Sequence, residues 1–260
     1  MNTKNKRPLI LVTNDDGITA KGLKEVSGWL QDLGDVVVVA PDAPRSGQSS
    51  AITANQPLRL TPVTERPGYR AYQTNGTPVD CIKLSMHTVL DRKPDMIVSG
   101  INHGSNAGIS ILYSGTMGAV LEGCVQDIPS VGFSLCSHDP DADFTACKPV
   151  VGDICRRIWE EGLPQGVCLN INIPDVREIK GIKVCRQAHG YWTEEYARRT
   201  DPMGKDYFWL TGYFKNLEPD NRETDEWALA HDYISLVPCV ADMTAKQYIP
   251  EFREWLTRTV

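Results

Sequence analysis

Two adjacent aspartates, Asp15 and Asp16, stand between a short apolar run at residues 9–12 and Gly17. Two close carboxylates repel each other, which raises the pKa of one of them unless a positive charge intervenes. Oxygen-rich sites of this kind suit hard divalent cations. The pair therefore predicts a metal site at the carboxyl end of a strand. Adjacent acids before a glycine also occur as a helix N-cap and its neighbour, which is the alternative interpretation.

A second loop, residues 41–50, is rich in small hydroxyl residues and turn formers and follows the apolar run at residues 36–40. It contains Arg45, Ser46 and Gly47. Ser46 could add a neutral oxygen ligand to a metal, and Arg45 could contact a phosphate or a base. Taken alone, the loop could equally be a solvated connection whose arginine is merely exposed.

A third loop follows the apolar residues 96–98 and contains Asn102 and Asn106 among several glycines. Its continuation, Ser114-Gly115-Thr116, opens a predicted helix. Glycines let the backbone approach an anion closely, and a helix N-terminus offers free N–H groups to a phosphate. Simple helix capping is the alternative for these three residues taken alone.

The elements that must position these loops show strand and helix patterns in alternation. Continuous apolar runs predict strands buried on both faces, and apolar residues at helical spacing predict the helices between them. Strands are predicted over residues 8–12, 36–40, 96–98, 130–135 and 167–173, with a helix over residues 144–161. This alternation predicts an α/β fold with a doubly wound parallel sheet. Such sheets bind ligands at the carboxyl ends of their strands, so we expect the three loops to form one site.

After Pro174 the pattern is less clearly doubly wound. Strands are predicted over residues 182–185, 207–213 and 233–237, followed by a terminal helix over residues 248–256. We place a boundary within residues 175–190 and divide the chain into residues 1–180 and residues 181–260. The second part is predicted to be a β-hairpin and helix extension that pairs with another subunit.

The composition limits the class of protein. The 260 residues carry a formal net charge of -6, which argues against a general nucleic-acid surface. No apolar stretch is long enough for a membrane span, and the N-terminus lacks a signal-peptide pattern, so we expect no membrane partner. The eight cysteines form no C-x-x-C pair, which predicts free thiols and a cytoplasmic protein rather than a zinc knuckle or a disulfide scaffold.

In combination, these motifs resemble the SurE (survival protein E) family of 5'/3'-nucleotidases. The matching motifs are Thr13-Asn14-Asp15-Asp16-Gly17, Ser46-Gly47, Gly76-Thr77-Pro78, Ser99-Gly100-Ile101-Asn102, Tyr113-Ser114-Gly115-Thr116 and Tyr233-Ile234-Ser235-Leu236-Val237-Pro238. The resemblance implies a Rossmann-like catalytic domain over residues 1–180 and a C-terminal oligomerisation extension over residues 181–260. It also implies a homodimer or homotetramer.

The resemblance further implies metal-dependent hydrolysis of nucleoside 5'-monophosphates, with 3'-monophosphates left open. Its expected metal ligands are Asp15, Asp16, Ser46 and Asn102, holding one Mg²⁺ or Mn²⁺ ion. Its expected phosphate cradle is Asn106, Ser114, Gly115 and Thr116. Asn14, Arg45 and Gly47 are added as candidate contacts to the phosphate or the rest of the substrate.

A metal in this site could activate a water, which Asp15 or Asp16 would orient for attack on phosphorus. A phosphatase with an aspartyl nucleophile normally shows two aspartates separated by one residue, whereas Asp15 and Asp16 are adjacent. Two other classes remain open, a non-hydrolytic nucleotide-binding module and a sugar-nucleotide transferase.

Overall fold

The fold is built on a large mixed sheet in a computed structural model that describes residues 7–258. The strands are β1 (Leu9–Thr13), β2 (Asp35–Pro41), β3 (Leu60–Arg66), β4 (Tyr69–Thr74), β5 (Met96–His103), β6 (Ser130–Leu135), β7 (Val167–Ile173), β8 (Ile182–Val184), β9 (Gly190–Thr193), β10 (Tyr196–Thr200), β11 (Asp206–Leu210), β12 (Tyr213–Asn216) and β13 (Ile234–Val240). The α-helices are α1 (Lys21–Leu30), α2 (Pro78–Leu84), α3 (Gly115–Val125), α4 (Cys147–Glu161), α5 (Asp225–Ala230) and α6 (Ile249–Thr257).

The main sheet has nine strands in the order β3-β4-β2-β1-β5-β6-β7-β13-β8. The six strands from β4 to β7 are parallel to their neighbours, whereas β3 and β13 run antiparallel to the strands next to them at β4 and β7. After β1, the chain forms β2, which pairs with one side of β1, and later β5, which pairs with the other side of β1. The predicted Rossmann-like, mostly parallel sheet is confirmed, with the order reversing beside β1, where such sheets bind ligands.

Alternating side chains of the central strands point to two apolar layers. Ile10 and Val12 pack with α1 and α4 on one face, and Leu11 and Val37 pack with α2 and α3 on the other. Burying each side chain of this size contributes about 1.5–3 kcal/mol. Burial on both faces explains why the strand sequences read as continuous apolar runs, and it makes the sheet a rigid support for the loops at its edge.

Most of the predicted elements of the first 180 residues are present, and the strands over residues 130–135 and 167–173 match β6 and β7. The helix predicted from residue 144 begins later, at Cys147. The reason is local, because the Asp143 carboxylate accepts hydrogen bonds from the backbone N–H and the hydroxyl of Thr145 and holds a turn before the helix. The β3–β4 hairpin was not predicted; β3 is an exposed edge strand without an apolar run.

Two elements of residues 181–258 belong to the main sheet, since β13 pairs with β7 and β8 pairs with β13. The single strand predicted over residues 207–213 was wrong, because the chain turns between β11 and β12 at Gly212. Gly212 has φ +96°, and a Cβ there would lie 2.4 Å from the Thr193 carbonyl oxygen. The division at residue 180 and the oligomerisation role of the second part stay predictions. No helix among residues 7–258 is long and apolar enough to cross a membrane.

Candidate active site

The turn after β1 places both aspartates at the carboxyl edge of the sheet. Asn14 is fully buried, and its side chain closes the turn on Gly17: Nδ2 donates to the Gly17 carbonyl at 3.1 Å and Oδ1 accepts from the Gly17 N–H at 3.2 Å. Asn14 therefore shapes the loop that presents Asp15 and Asp16. Its predicted contact with substrate stays a prediction.

Asp15 is 3% exposed and lies against the start of α3. The Thr116 hydroxyl donates to Asp15 Oδ1 at 2.5 Å. A Cβ at Gly115 would lie 2.8 Å from the Asp15 Cβ, so only glycine permits this approach. Burial raises the pKa of the Asp15 carboxyl, and the hydrogen bond from Thr116 is the largest of the opposing effects. A side chain from the third loop thus fixes a carboxylate of the first.

Asp16 is half-buried, and its pKa is raised to about 6 by burial first and by the charge of Asp15 second. The backbone N–H of His103 donates to Asp16 Oδ2 at 3.4 Å and opposes this rise. Among the ion pairs of residues 7–258, none involves Asp15 or Asp16. The pair therefore concentrates negative charge that no protein cation neutralises, as the acids of a cation site do.

The second loop lies against the first through its backbone. The Arg45 N–H donates to the Asp15 carbonyl oxygen at 2.7 Å, which brings the neighbouring Ser46 beside the acidic turn. The Arg45 guanidinium donates to Asp42 Oδ1 at 3.2 Å and to the Asn75 carbonyl at 3.1 Å. Arg45 therefore ties this loop to the end of β4, while Ser46 and Gly47 are exposed to solvent.

Two residues that sequence reasoning did not assign to the site support this second loop. Thr77 and Asp80 form a capping box at the start of α2. The Thr77 hydroxyl also donates to the Ala51 carbonyl at 2.7 Å. Two residues before Ala51, within the loop itself, the Ser49 hydroxyl donates to the Leu112 carbonyl at 2.6 Å. The Thr-Pro-x-Asp pattern is a recognisable capping signal, but its link to the loop is a tertiary contact.

Asn102 lies near the end of β5, just after an irregularity in the β5–β6 pairing. Gly100 allows this irregularity, since its φ is +124° and a Cβ there would lie 2.3 Å from the Phe133 carbonyl oxygen. The Asn102 Nδ2 donates to the carbonyls of Gly104 at 2.8 Å and His103 at 3.2 Å. Because its nitrogen is used in this way, the side-chain oxygen is the atom that Asn102 can offer to a cation.

Asn106 is held by a buried network that sequence reasoning missed. Its N–H donates to Asn172 Oδ1 at 2.7 Å, its Nδ2 donates to Ser134 Oγ at 2.8 Å, and its carbonyl accepts from Asn170 Nδ2 at 2.9 Å. Asn170 and Asn172 lie on β7, and the available signal was two asparagines in an otherwise apolar buried strand. Buried amides require hydrogen-bond partners, and here those partners fix the third loop.

Ser114 is the N-cap of α3, and its hydroxyl oxygen accepts from the Met117 N–H at 3.1 Å. The capping interpretation of Ser114 therefore describes what its side chain does. The first residues of the helix, Gly115 and Thr116, lie beside Asp15. A helix N-terminus next to the acidic turn could hold a phosphate beside a metal, which is the arrangement predicted for the cradle.

The donor set near the two aspartates fits a hard divalent cation. Among residues 7–258, no group of three or more His, Cys, Asp or Glu side chains could hold a metal. A cation at this edge would therefore have two carboxylates together with neutral oxygens such as those of Ser46 and Asn102. Magnesium often binds through one or two carboxylates and keeps several waters.

Comparisons with known proteins point to one family. The family model described as "Survival protein SurE" matches residues 10–194. The chain is 50% identical over 252 residues to "5'-nucleotidase SurE" of Bacteroides fragilis, covering 97% of this chain and 99% of that protein. It is 47% identical over 252 residues to "5'-nucleotidase SurE" of Phocaeicola vulgatus, covering 97% and 98%.

A solved structure gives the same result at the level of the fold. The crystal structure of the SurE protein from Aquifex aeolicus has a TM-score of 0.82 and 35% sequence identity to this chain. The match covers 96% of this chain and 100% of the Aquifex chain. From the family match and these near-full-length relatives, we conclude that the chain belongs to the SurE family.

Proposed function

We propose that this protein is a 5'-nucleotidase, a phosphoric monoester hydrolase that converts nucleoside 5'-monophosphates to nucleoside and phosphate with one Mg²⁺ or Mn²⁺ ion. The enzyme class is supported by the relatives named 5'-nucleotidase SurE, which align with nearly the whole chain. The observation that carries the site is the pair of buried and half-buried carboxylates with raised pKa values, which take part in none of the ion pairs among residues 7–258.

The proposed metal ligands are Asp15, Asp16, Ser46 and Asn102. Two acids supply most of the charge, and a hydroxyl and an amide oxygen leave the site only moderately negative. When bound, the cation would neutralise charge on phosphoryl oxygens and make a water more acidic. The Thr116 hydroxyl would fix the Asp15 carboxylate in the orientation that this role requires.

The proposed phosphate contacts are Asn106 and the start of α3 at Ser114, Gly115 and Thr116. Backbone N–H groups at this helix start would stabilise the negative charge that builds on the phosphoryl oxygens during displacement. Such preorganised donors contribute about 3–4 kcal/mol each when they are well placed. Asn14, Arg45 and Gly47 remain proposed outer contacts to the substrate.

Asp16 is the better candidate of the two acids for orienting the attacking water. Asp15 Oδ1 already accepts the Thr116 hydroxyl at 2.5 Å, whereas Asp16 Oδ2 accepts one long hydrogen bond of 3.4 Å from the His103 N–H. Asp16 is also the more exposed acid, so a water can reach it. Neither Ser46 nor Ser114 is proposed as a nucleophile, since Ser114 is occupied as a helix cap.

The first prediction is metal-dependent phosphate release from nucleoside monophosphates. The purified protein should release phosphate from adenosine, guanosine or uridine 5'-monophosphate with Mg²⁺ or Mn²⁺ and should stop when the metal is chelated. The 3'-monophosphates, tested in parallel, decide the regioselectivity. If nucleotide binds but no phosphate appears with any metal, the protein is a nucleotide-binding module. Transfer of a sugar from a sugar nucleotide would instead indicate a transferase.

We also propose a homodimer or homotetramer in the cytoplasm. Large apolar side chains stand exposed on β10, β11 and α6, namely Tyr196, Phe208, Trp209, Leu210, Phe252, Trp255 and Leu256. Several large apolar side chains exposed on the same few elements support their burial against another subunit. The eight cysteines are free thiols, which supports a reducing compartment. Sedimentation equilibrium on the purified protein would measure the number of subunits.

A further inference from the structure

Asp225 is a buried carboxylate at the first position of α5 and is 1% exposed. Its Oδ2 accepts a hydrogen bond of 2.9 Å from the Gly108 N–H. Its Oδ1 accepts two more, from the Ala188 N–H at 2.9 Å and from the Glu226 N–H at 2.8 Å. Three backbone donors therefore fix the carboxylate, and one of its oxygens is devoted to Gly108.

Gly108 is the last residue of the segment 106–108 in the third loop. The first residue of this segment, Asn106, is held by β7, because its N–H donates a hydrogen bond to Asn172 Oδ1. A Cβ at Gly108 would lie 2.9 Å from the Phe214 ring, so this residue is also packed closely against β12. The segment thus lies between two supports. One is the asparagine network of the sheet, and the other is a carboxylate from residues 181–258.

We propose that Asp225 is a positioning residue for substrate binding, which holds segment 106–108 in the conformation that contacts the phosphate. The proposal rests on the proposed function, in which Asn106 belongs to the phosphate site. It assigns to the C-terminal part of the chain a role within its own active site, in addition to any role in assembly. Asp225 acts through the backbone of Gly108 and does not itself contact substrate.

The test uses Asp225→Asn in the full-length protein. Because Oδ1 serves two N–H donors and Oδ2 serves one, the asparagine oxygen should stay with Ala188 and Glu226. The new NH₂ group then faces the Gly108 N–H, so the link to the loop is lost while the anchor of α5 remains. Asp232→Asn is the matched control, since Asp232 lies in the same region and pairs with Lys180 at the surface.

We expect Asp225→Asn to raise the KM for nucleoside monophosphate about tenfold, because a hydrogen bond to a charged group is lost. The inhibition constant of inorganic phosphate should rise in parallel, while kcat changes less than about threefold and Mn²⁺ affinity stays as in the wild type. Amide hydrogen exchange of residues 106–112 should become faster in this variant and not in Asp232→Asn. Unchanged exchange in the loop, or faster exchange with unchanged KM and phosphate affinity, overturns the proposal.

A measurement on the wild type covers the case in which the variant folds poorly. Since binding and positioning are linked, inorganic phosphate with Mn²⁺ should slow exchange of the Ala188 and Glu226 amides as well as that of Gly108. Protection confined to the third loop would overturn the proposal. Failure of the proposed function appears differently, as a wild-type protein that releases no phosphate from any nucleotide.

Discussion

The molecule contains two adjacent acid pairs in similar settings, Asp15-Asp16 after β1 and Asp225-Glu226 at the start of α5. The first acid of each pair is buried, with exposures of 3% and 1%. The second acid of each pair is half-buried and has a raised pKa, about 6 for Asp16 and about 7 for Glu226, with burial as the main cause. By burial and charge alone, the two pairs are alike.

The two pairs differ in the groups that contact their buried acids, Asp15 and Asp225. Asp225 uses both oxygens to accept backbone N–H groups from three residues, and these hydrogen bonds oppose the rise in pKa that burial of the carboxyl causes. Asp15 accepts a side-chain hydroxyl at Oδ1 and faces the backbone N–H groups of Gly115 and Thr116 at the start of α3, and the loops beside it carry oxygen-bearing residues, Asn102 and Ser46. A buried acid whose two oxygens are both used by backbone donors is an anchor, whereas two adjacent acids beside a hydroxyl and an amide oxygen from other loops attract a cation. The comparison teaches that the neighbours of an acid pair determine its role.

The largest effect is expected from Asp15→Asn, compared with Asp225→Asn. Removing the charge of a proposed metal ligand should lower phosphate release by about 1,000-fold or more, because a bound metal contributes several kcal/mol to transition-state stabilisation. Mn²⁺ titration should show a matching loss of affinity in Asp15→Asn and wild-type affinity in Asp225→Asn. Full activity of Asp15→Asn at limiting metal would show that Asp15 is not a metal ligand. The proposed difference in role between Asp15 and Asp225 would then be wrong.

An intermediate effect is expected from Thr116→Val. The hydroxyl orients Asp15, and losing such an outer partner typically costs about 10- to 100-fold in metal affinity or activity. The Thr116→Ser variant keeps the hydroxyl and should retain most of the affinity for Mn²⁺. If Thr116→Val binds Mn²⁺ normally and loses only phosphate affinity, Thr116 belongs to the phosphate cradle alone and does not support the metal ligand.

The smallest effect is expected from Glu226→Gln and concerns stability. Since the pKa of Glu226 is raised to about 7 by burial and then by the charge of Asp225, folding is disfavoured as the pH rises from about 4.5 through about 7. Glutamine stays neutral, so the variant should be more stable than the wild type above pH 7, by on the order of 1 kcal/mol, and equal to it at low pH.

Urea unfolding at several pH values measures this difference. The charge of Glu226 also contributes to the raised pKa of the Cys136 thiol, which is about 12. The unfolding measurements should therefore stay well below pH 12, so that this thiol does not titrate. An equal stability difference at all pH values would mean that Glu226 acts through packing. Glu226 would then differ from Asp16 in its charge state, in addition to the difference in hydrogen-bond partners between the two pairs.

Much of the sheet could be predicted because its signals are local. The apolar runs that became β1, β2, β6 and β7 are continuous in the sequence, and burial on both faces is what such runs indicate. The β3–β4 hairpin was missed because β3 lies at the exposed edge of the sheet, where no apolar pattern is required. The turn at Gly212 was missed because a glycine within an aromatic segment gave no evidence that the strand would end there.

The sequence by itself determined the family, the parallel sheet and the loops at which chemistry is expected, because short motifs and hydrophobic periodicity are properties of neighbouring residues. Only the tertiary structure decided what several side chains do. The Thr116 hydroxyl meets a carboxylate 101 residues away, and Asp225 meets a backbone N–H 117 residues away. Contacts over such distances depend on how sheet and helices pack, so no local pattern specifies them.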